Sequence, residues 1–358
     1  MEQFEQFTLF NTPKFKIDKP IRLIELFGGI GSQAKSLKRL GADFVHYRLC
    51  EFDKWAVQSY NAIHGTDFAT SDVTKITADD LGIVDTDKWL YMLTYSFPCQ
   101  SLSTAGKGEG MAKGSGTRSG LLWEVERLLN ECNELPQVLL MENVVNVHGK
   151  KNIEHFNEWC RFLESKGYTN YWQDLNAKDF GVPQNRNRCF MVSILGDYEY
   201  EFPKPLPLEK RLKDLLEDNV DKKYYLSDKM KNYILDINNV QKGTKWQGRA
   251  DNDVLNPDIA HTLSVRGACG SQRAGVSNFI LDGYDGEIKV KDIKARYKDV
   301  SSLPIRRLTP KECWRVQDFD DIDFERAKAT GMSDAQLFKQ AGNSIPVCLM
   351  YYIFKQML

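Results

Sequence analysis

The sequence predicts an α/β fold: a doubly wound, mostly parallel sheet with a second, smaller domain. Three observations carry this. Short apolar runs alternate with amphipathic stretches between residues 21 and 195, the pattern of strands separated by helices. A glycine-rich turn, GGIGSQA (28–34), joins the first apolar run to the first amphipathic stretch. A proline-rich stretch, EFPKPLPLEK (201–210), then ends the alternation and reads as a linker.

The elements follow in order. IRLIELF (21–27) reads as a buried strand. SQAKSLKRL (32–40) has helical spacing, and Gly41 is placed to stop it. DFVHYRLC (43–50) and WLYMLTYSF (89–97) read as strands. In GLLWEVERLLNEC (120–132), Leu121, Leu122, Val125, Leu128 and Leu129 share one face of a predicted helix. QVLLMENV (137–144) is strand-like, NIEHFNEWCRFLESKG (152–167) a helix ending on Gly167, and CFMVSIL (189–195) a late strand. Residues 211–300 show weaker periodicity and more glycine, asparagine and charge. Apolar patterning returns in TPKECWRVQDF (309–319) and SIPVCLMYYIFKQML (344–358), the second a predicted helix with Pro346 in its first turn. The expected organisation is an arm at 1–20, a large domain of 21–200 completed by 335–358, and a smaller domain of 201–334.

Composition bounds the function. Hydrophobic residues make up 42% of the 358, enough for a core and too many for global disorder. The formal net charge is -1, so nucleic-acid binding has to come from local basic patches. None of the eight cysteines forms a CxxC pair. They read as free thiols in a reducing cytosol, with no metal expected. MEQFEQFTLF lacks the basic start and apolar stretch of a secretory signal. No apolar run approaches the ~18 residues that span a bilayer. A cytoplasmic protein without a membrane partner is expected.

One end of the predicted sheet is built for a nucleotide. Gly29-Ile30-Gly31-Ser32-Gln33-Ala34 fits G-x-G-x-x-A between strand and helix. Glycines there let a ligand approach the backbone, and the helix start offers free N–H donors. Glu51 ends the next strand 20 residues after Gly31, where an acid can accept both ribose hydroxyls. Asp72, in SDVTKI, is placed either to accept an adenine amino group or to cap a surface turn. Together these say adenosine-bearing cofactor, without separating NAD from S-adenosylmethionine.

The other end carries chemistry. Cys99 follows a strand in YSFPCQSLSTAGKG (95–108), so it is expected at the crevice that forms at strand carboxyl ends. Pro98 fixes its turn, and the small residues that follow suit a loop that opens and closes. Glu142 comes directly after Leu139-Leu140-Met141, where a carboxylate is costly to bury without a partner. Arg186 and Arg188 alternate in QNRNRCF (184–190), which would send both side chains to one pocket. One reaction uses all of them: attack on an electron-poor aromatic ring, with Cys99 as nucleophile, Glu142 at a ring nitrogen and Arg188 at a ring carbonyl. The thiolate is the competent form, so local positive charge or helix dipoles are expected to lower the Cys99 pKa.

These residues resemble the cytosine-C5 DNA methyltransferase family. ELFGGIGS (25–32), FPCQSLS (97–103), MENV (141–144), QNRNRCF (184–190), RRLTPKECWRVQDF (306–319) and QAGNSIPV (340–347) resemble that family's motifs, in the family's order. RSGLLWE (118–124) resembles the weaker motif that follows its mobile loop. The resemblance implies a class I S-adenosylmethionine methyltransferase fold and a sequence-specific enzyme. It would methylate C5 of a cytosine flipped out of duplex DNA, since C5 and C6 are inaccessible inside the stack. It implies that Phe27, Gly29, Ile30, Gly31 and Pro98 shape the S-adenosylmethionine pocket. Glu51 would hold the ribose, Asp72 the adenine, and Asn343 would help close the site. Cys99 would attack C6, Glu142 would bind N3 and the exocyclic amine, and Arg188 would bind O2 with Arg186 in support. Gly28 stands where alanine is commoner, a change expected to cost little.

For DNA, the resemblance points to Gln100, Ser103, Lys107 and Arg118 in the mobile loop, and to a recognition region between the two late motifs. Segment 241–274 holds five basic residues against three acids, and segment 286–307 holds seven against three, fit to neutralise phosphates. Arg249 lies in the first of these, and RGACGSQRAG (266–275), with Arg266 and Arg273, is the candidate for base-edge contacts. A monomer is expected, and the resemblance leaves room for a restriction endonuclease with the same target site. An NAD-dependent oxidoreductase would give Cys99, Glu142 and Arg188 no common task. An RNA cytosine methyltransferase is the nearer rival; the long region 200–305 favours a duplex-DNA reader. A non-catalytic DNA-binding protein on this scaffold would have no use for Cys99.

Overall fold

The structure, a computed structural model, describes residues 12–102, 110–235, 254–264, 278–297, 299 and 301–358. The first half runs β1 (Ile21–Leu26), α1 (Ser32–Leu40), β2 (Phe44–Cys50), α2 (Lys54–His64), α3 (Ala78–Leu81), β3 (Leu90–Tyr95), α4 (Leu122–Glu131), β4 (Val138–Val144), α5 (Ile153–Ser165), β5 (Tyr168–Asn176), β6 (Gln184–Asn185) and β7 (Asn187–Leu195). Six of these strands form one sheet in the order β2-β1-β3-β4-β7-β5. β1 to β4 are parallel, and β7 runs antiparallel between β4 and β5. The mostly parallel doubly wound sheet is thus present, with a reversed late strand.

Strand alternation sorts the core onto the two faces of this sheet. Leu23, Met92, Leu140 and Val192 pack on one side with Leu37 of α1 and the C-terminal residues Leu349 and Ile353. Ile24, Leu93, Leu139 and Met191 pack on the other with Leu128 of α4 and Trp159 of α5. Both faces are covered, so the central strands read as continuous apolar runs. Gly41 ends α1 in the left-handed region at φ 67°, as its position predicts. α2 and β5 were not expected from sequence. β5, YTNYWQDLN, is an edge strand with a half-exposed pattern, so its polar residues hide the strand signal.

The second half holds α6 (Asp228–Leu235), β8 (Val254–Leu255), β9 (Ala260–His261), β10 (Phe279–Leu281), β11 (Ile288–Lys289), α7 (Val290–Arg296) and β12 (Ile305–Arg307). Leu255, Phe279, Leu281, Ile293 and Ile305 form its small separate core. Next come α8 (Pro310–Val316), α9 (Asp321–Ala329), α10 (Asp334–Asn343) and α11 (Val347–Lys355). Thr309 and Glu312 cap α8 reciprocally. Trp314 of α8 shares a core cluster with Phe324 and Leu337, with Ile30, Ala56 and Ile63, and with Leu212, Tyr224 and Ile280, so α8 and α9 bridge the large body and the region after the linker. Arg306, buried, donates to both Glu312 carboxylate oxygens at 2.9 and 3.0 Å and to Asp282 at 2.8 Å. That bidentate grip fastens the small core to α8. Among the described residues no helix is long and apolar enough to cross a membrane.

Candidate active site

The site forms where the parallel strands end. After β1 the backbone makes a tight turn, with positive φ at Phe27 (58°), Gly29 (57°) and Gly31 (83°). A Cβ on Gly31 would meet His64 Nε2 at 2.3 Å, whereas one on Gly29 would meet nothing within 4 Å. Gly31 is therefore required by packing, while Gly29 borders open space where a ligand can approach the backbone. A Cβ on Gly28 would meet Leu49 Cδ1 at 2.5 Å, so glycine suits this turn better than the commoner alanine would. The Ile30 side chain is buried in the core around Trp314, which leaves only its backbone for a cofactor.

Glu51 follows β2 and is fixed by backbone donors: Gly29 N–H reaches Oε2 at 3.0 Å and Asp53 N–H reaches Oε1 at 2.8 Å. Burial pushes its pKa up, and those two N–H groups pull it back. Asp72 is brought to the same rim, because Ser71 N–H bonds to Glu51 O at 3.0 Å. Its Oδ1 accepts from Thr74 N and Oγ1 at 3.0 and 2.8 Å, and these bonds lower its pKa. Sequence reasoning missed Phe52. It is 78% exposed directly after Glu51, and an exposed aromatic beside a nucleotide-binding acid is the signal that marks it. Open backbone at Gly29, a fixed carboxylate and an exposed ring fit S-adenosylmethionine.

Cys99 sits four residues beyond β3, partly exposed. Its loop is pinned from three sides. Asn143 Nδ2 donates to Phe97 O at 2.9 Å, Ser119 Oγ donates to Pro98 O at 2.7 Å, and Asn146 Nδ2 donates to Leu102 O. The MENV block thus supplies both Glu142 and the Asn143 that braces the cysteine loop. Glu142 is 8% exposed. Its Oε1 lies 3.3 Å from Arg188 Nε, across the β4–β7 ladder that pairs Val144 with Arg188. Burial raises the Glu142 pKa against the pull of Arg188 and Arg186.

Two expectations need correction here. The Cys99 pKa is raised rather than lowered: burial comes first and the Glu142 charge second, and Arg188 and Arg186 only partly offset them. The strand alternation expected at Arg186 and Arg188 is interrupted between β6 and β7, yet the charges of both arginines still act on Cys99 and Glu142. Arg186 N–H bonds to Asn176 Oδ1 at 3.0 Å. Its buried guanidinium donates to Leu263 O, Gly342 O and Ser344 O at 3.2, 3.1 and 2.9 Å. Burial and the nearby Arg188 lower its pKa to about 9, still charged at neutral pH. Arg186 therefore positions backbone and lends charge, while Arg188 faces Glu142. Asn343 lies exposed between two of the residues that Arg186 holds.

Of the DNA candidates, Arg118 is exposed and donates to Gln100 Oε1 at 2.8 Å, so both lie on the rim beside Cys99. Ser103, Lys107, Arg249, Arg266 and Arg273 fall outside the described residues. Gln184, also missed from sequence, links the halves. Its amide bonds to Val316 O at 3.0 Å and to Leu263 N–H at 3.1 Å, alongside the β6–β9 pair.

Comparisons with known proteins give the family and the fold. A sequence profile described as C-5 cytosine-specific DNA methylase matches residues 21–358. Type II methyltransferase M2.ScrFI of Lactococcus lactis subsp. cremoris is 38% identical over 274 residues, covering 74% of this chain and 65% of that protein. The match therefore spans less than two thirds of that relative. Type II methyltransferase M.NlaX of Neisseria lactamica is 32% identical over 348 residues, covering 94% of this chain and 96% of that protein. The crystal structure of S. pombe Dnmt2 methyltransferase matches with a TM-score of 0.69 at 20% identity, covering 93% of this chain and 97% of that one. Entamoeba histolytica methyltransferase EhMeth matches with a TM-score of 0.70 at 16% identity, covering 95% and 98%. Likenesses this distant establish the fold. The chain belongs to the C-5 cytosine-specific DNA methylase family and is an S-adenosylmethionine-dependent DNA (cytosine-5)-methyltransferase.

Proposed function

We propose that this chain methylates cytosine within one short duplex sequence, with Cys99 as nucleophile, Glu142 as acid and Arg188 as carbonyl donor. The observation that carries the assignment is convergence. The ends of β3 and β4 and the start of β7 bring a thiol, a buried carboxyl and a guanidinium to one crevice beside the Gly29–Glu51 turn. Gly29, Gly31 and Phe27 would border S-adenosylmethionine, with Glu51 at the ribose, Phe52 against the adenine face and Asp72 at its amino group. Pro98 and Asn343 would close the edge.

Bound S-adenosylmethionine supplies an electrophilic methyl group beside C5. Cys99 would lose its thiol proton to solvent and bond through Sγ to C6, as Glu142 gives its proton to N3 and the C5=C6 electron pair moves towards C5, the carbon that takes the methyl group. Arg188 stabilises charge at O2. Once C5 carries the methyl group, loss of its proton to solvent leaves the C–H electron pair to re-form C5=C6, Cys99 departs as a thiolate, and the N3 proton returns to Glu142. Burial and the Glu142 charge raise the Cys99 pKa while the Arg188 and Arg186 charges lower it, so any loss of negative charge at Glu142 would favour the thiolate.

Recognition is assigned to residues 201–307, including the Arg249, Arg266 and Arg273 segments, with Gln100, Ser103, Lys107 and Arg118 on the catalytic side. A cytoplasmic monomer acting on double-stranded DNA is the form proposed. The type II names of M2.ScrFI and M.NlaX support a role in restriction-modification beside an endonuclease of the same specificity. Bisulfite sequencing of plasmid DNA from cells expressing the chain tests the reading. Protected cytosines in one recurring sequence are expected. Protection scattered without a common sequence would overturn the specificity assignment.

A further inference from the structure

A second cluster lies behind the sheet. His148 ends the turn after β4, Asp174 lies in β5 and Cys189 in β7. Asp174 and Cys189 are cross-strand partners, and His148 Nε2 is 2.9 Å from Asp174 Oδ1. One ligand atom from each, nitrogen, oxygen and sulfur, lies within 4.8 Å of the other two. Cys189 is fully buried, while the His148 and Asp174 side chains keep 19% and 30% exposure, so the cluster opens to solvent on one side. Trp172 and Phe156 flank the His148 ring at 4.9 and 6.0 Å. The cluster is separate from the methylation site. Cys189 packs with Met191 in the α5-side core, whereas its neighbour Arg188 faces Glu142.

We propose that His148, Asp174 and Cys189 form a binding site for a thiophilic divalent metal ion of the zinc class. Sulfur, imidazole nitrogen and a single carboxylate oxygen suit zinc or cobalt; magnesium and calcium take oxygen ligands. Three protein ligands leave a fourth tetrahedral position for water on the solvent side. The three residues stand on two sheet strands and the turn that follows a third, so the ligand set is held in place by the fold. Ligation requires the Cys189 thiolate, so each ion bound releases the thiol proton. The ion would join the C-terminal ends of β4 and β5 to the start of β7, beside Arg188, and stabilise the folded chain by binding it alone.

The test titrates Co²⁺ into the chelator-treated full chain carrying Cys99→Ser, which removes the active-site thiol as a competitor. One ion per chain is expected, with a thiolate-to-cobalt charge-transfer band in the near ultraviolet. Adding Cys189→Ser should abolish the band. Adding His148→Gln, which spares the thiol and the core, should keep a band but weaken affinity by ~10-fold or more, since even partners that only orient metal ligands are worth ~10–100-fold. Absence of a stoichiometric thiolate band, a band that survives Cys189→Ser, or an affinity indifferent to His148→Gln would each overturn the site.

Discussion

At the β1–β2 end of the crevice, two backbone N–H groups hold the Glu51 carboxylate at 3.0 and 2.8 Å, and the surrounding turn is fixed by packing. At the β4–β7 end, Glu142 faces one guanidinium at 3.3 Å, and both it and Cys99 have raised pKa values. The first end is complete without its ligand. At the second, burial holds a carboxyl and a thiol against their charged forms, and in the proposed function the ring of the flipped cytosine would supply further partners. An enzyme accelerates a step only through interactions stronger in the transition state than in the ground state. Fixed geometry suits cofactor binding, and groups held against their charged forms suit the reacting centre.

Mutations should separate the two ends. Cys99→Ser should lower methyl transfer by ~10³-fold or more, as removal of a catalytic nucleophile does. S-adenosylmethionine affinity by calorimetry should stay within a few-fold; a parallel loss would mean the ends are one unit. Glu142→Gln should cost ~10²–10⁴-fold in kcat, the range for a positioned acid. Near-normal turnover would place the N3 proton elsewhere. At the other end, Glu51→Gln should raise the cofactor Kd by ~10–100-fold, equal to one or two charge-assisted hydrogen bonds. Turnover at saturating cofactor should change little. If kcat falls as far as binding, the cofactor end also shapes the transition state.

Smaller effects sharpen the contrast further. Arg186→Lys should destabilise folding by ~1–3 kcal/mol, because buried carbonyls of Leu263, Gly342 and Ser344 lose donors. Arg188→Lys should leave the denaturation midpoint nearly unchanged and lower kcat; equal unfolding effects would erase the distinction between the two arginines. The smallest signal is a pH slope beneath the cofactor turn. Glu25 is buried against Tyr60 Oη at 2.5 Å, with a pKa raised by burial to about 8. Between the ordinary carboxylate range and pH 8, the folded chain holds a proton that the unfolded chain has lost, so this contribution falls as pH rises. Burial lowers His46 and His64 to about 4 and about 3. They act oppositely and only below about pH 6.5, where the unfolded histidines take up protons. Thermal melts from pH 6.5 to 8 should therefore decline, and Glu25→Gln should flatten that decline. An unaltered slope would mean that Glu25 is ionised in the folded chain.

Much of the fold was legible because strand alternation, helix periodicity and glycine stops are local signals. The span 32–40 was predicted as a helix and forms one, with Gly41 as its stop. β5 was not legible, since an edge strand need not be apolar on both faces. The α8 segment lies in the expected smaller domain, and Trp314 shares one core cluster with Leu212, Tyr224 and Ile280 of that region and with Ile30, Ala56 and Ile63 of the large body. Such contacts between distant segments leave no periodicity to read.

By itself, the sequence determined the alternation of strands and helices apart from α2 and β5, the glycine turn with its acid, and the chemical set of thiol, carboxyl and guanidinium. These depend on residue type and near-neighbour spacing. Only the tertiary structure decided which backbone carbonyls Arg186 holds, which way the Cys99 pKa moves, and that His148, Asp174 and Cys189 meet. Burial and through-space charge depend on segments brought together from across the chain, and desolvation outweighs the two arginines at Cys99 because the folded body has removed the water that would otherwise stabilise the thiolate.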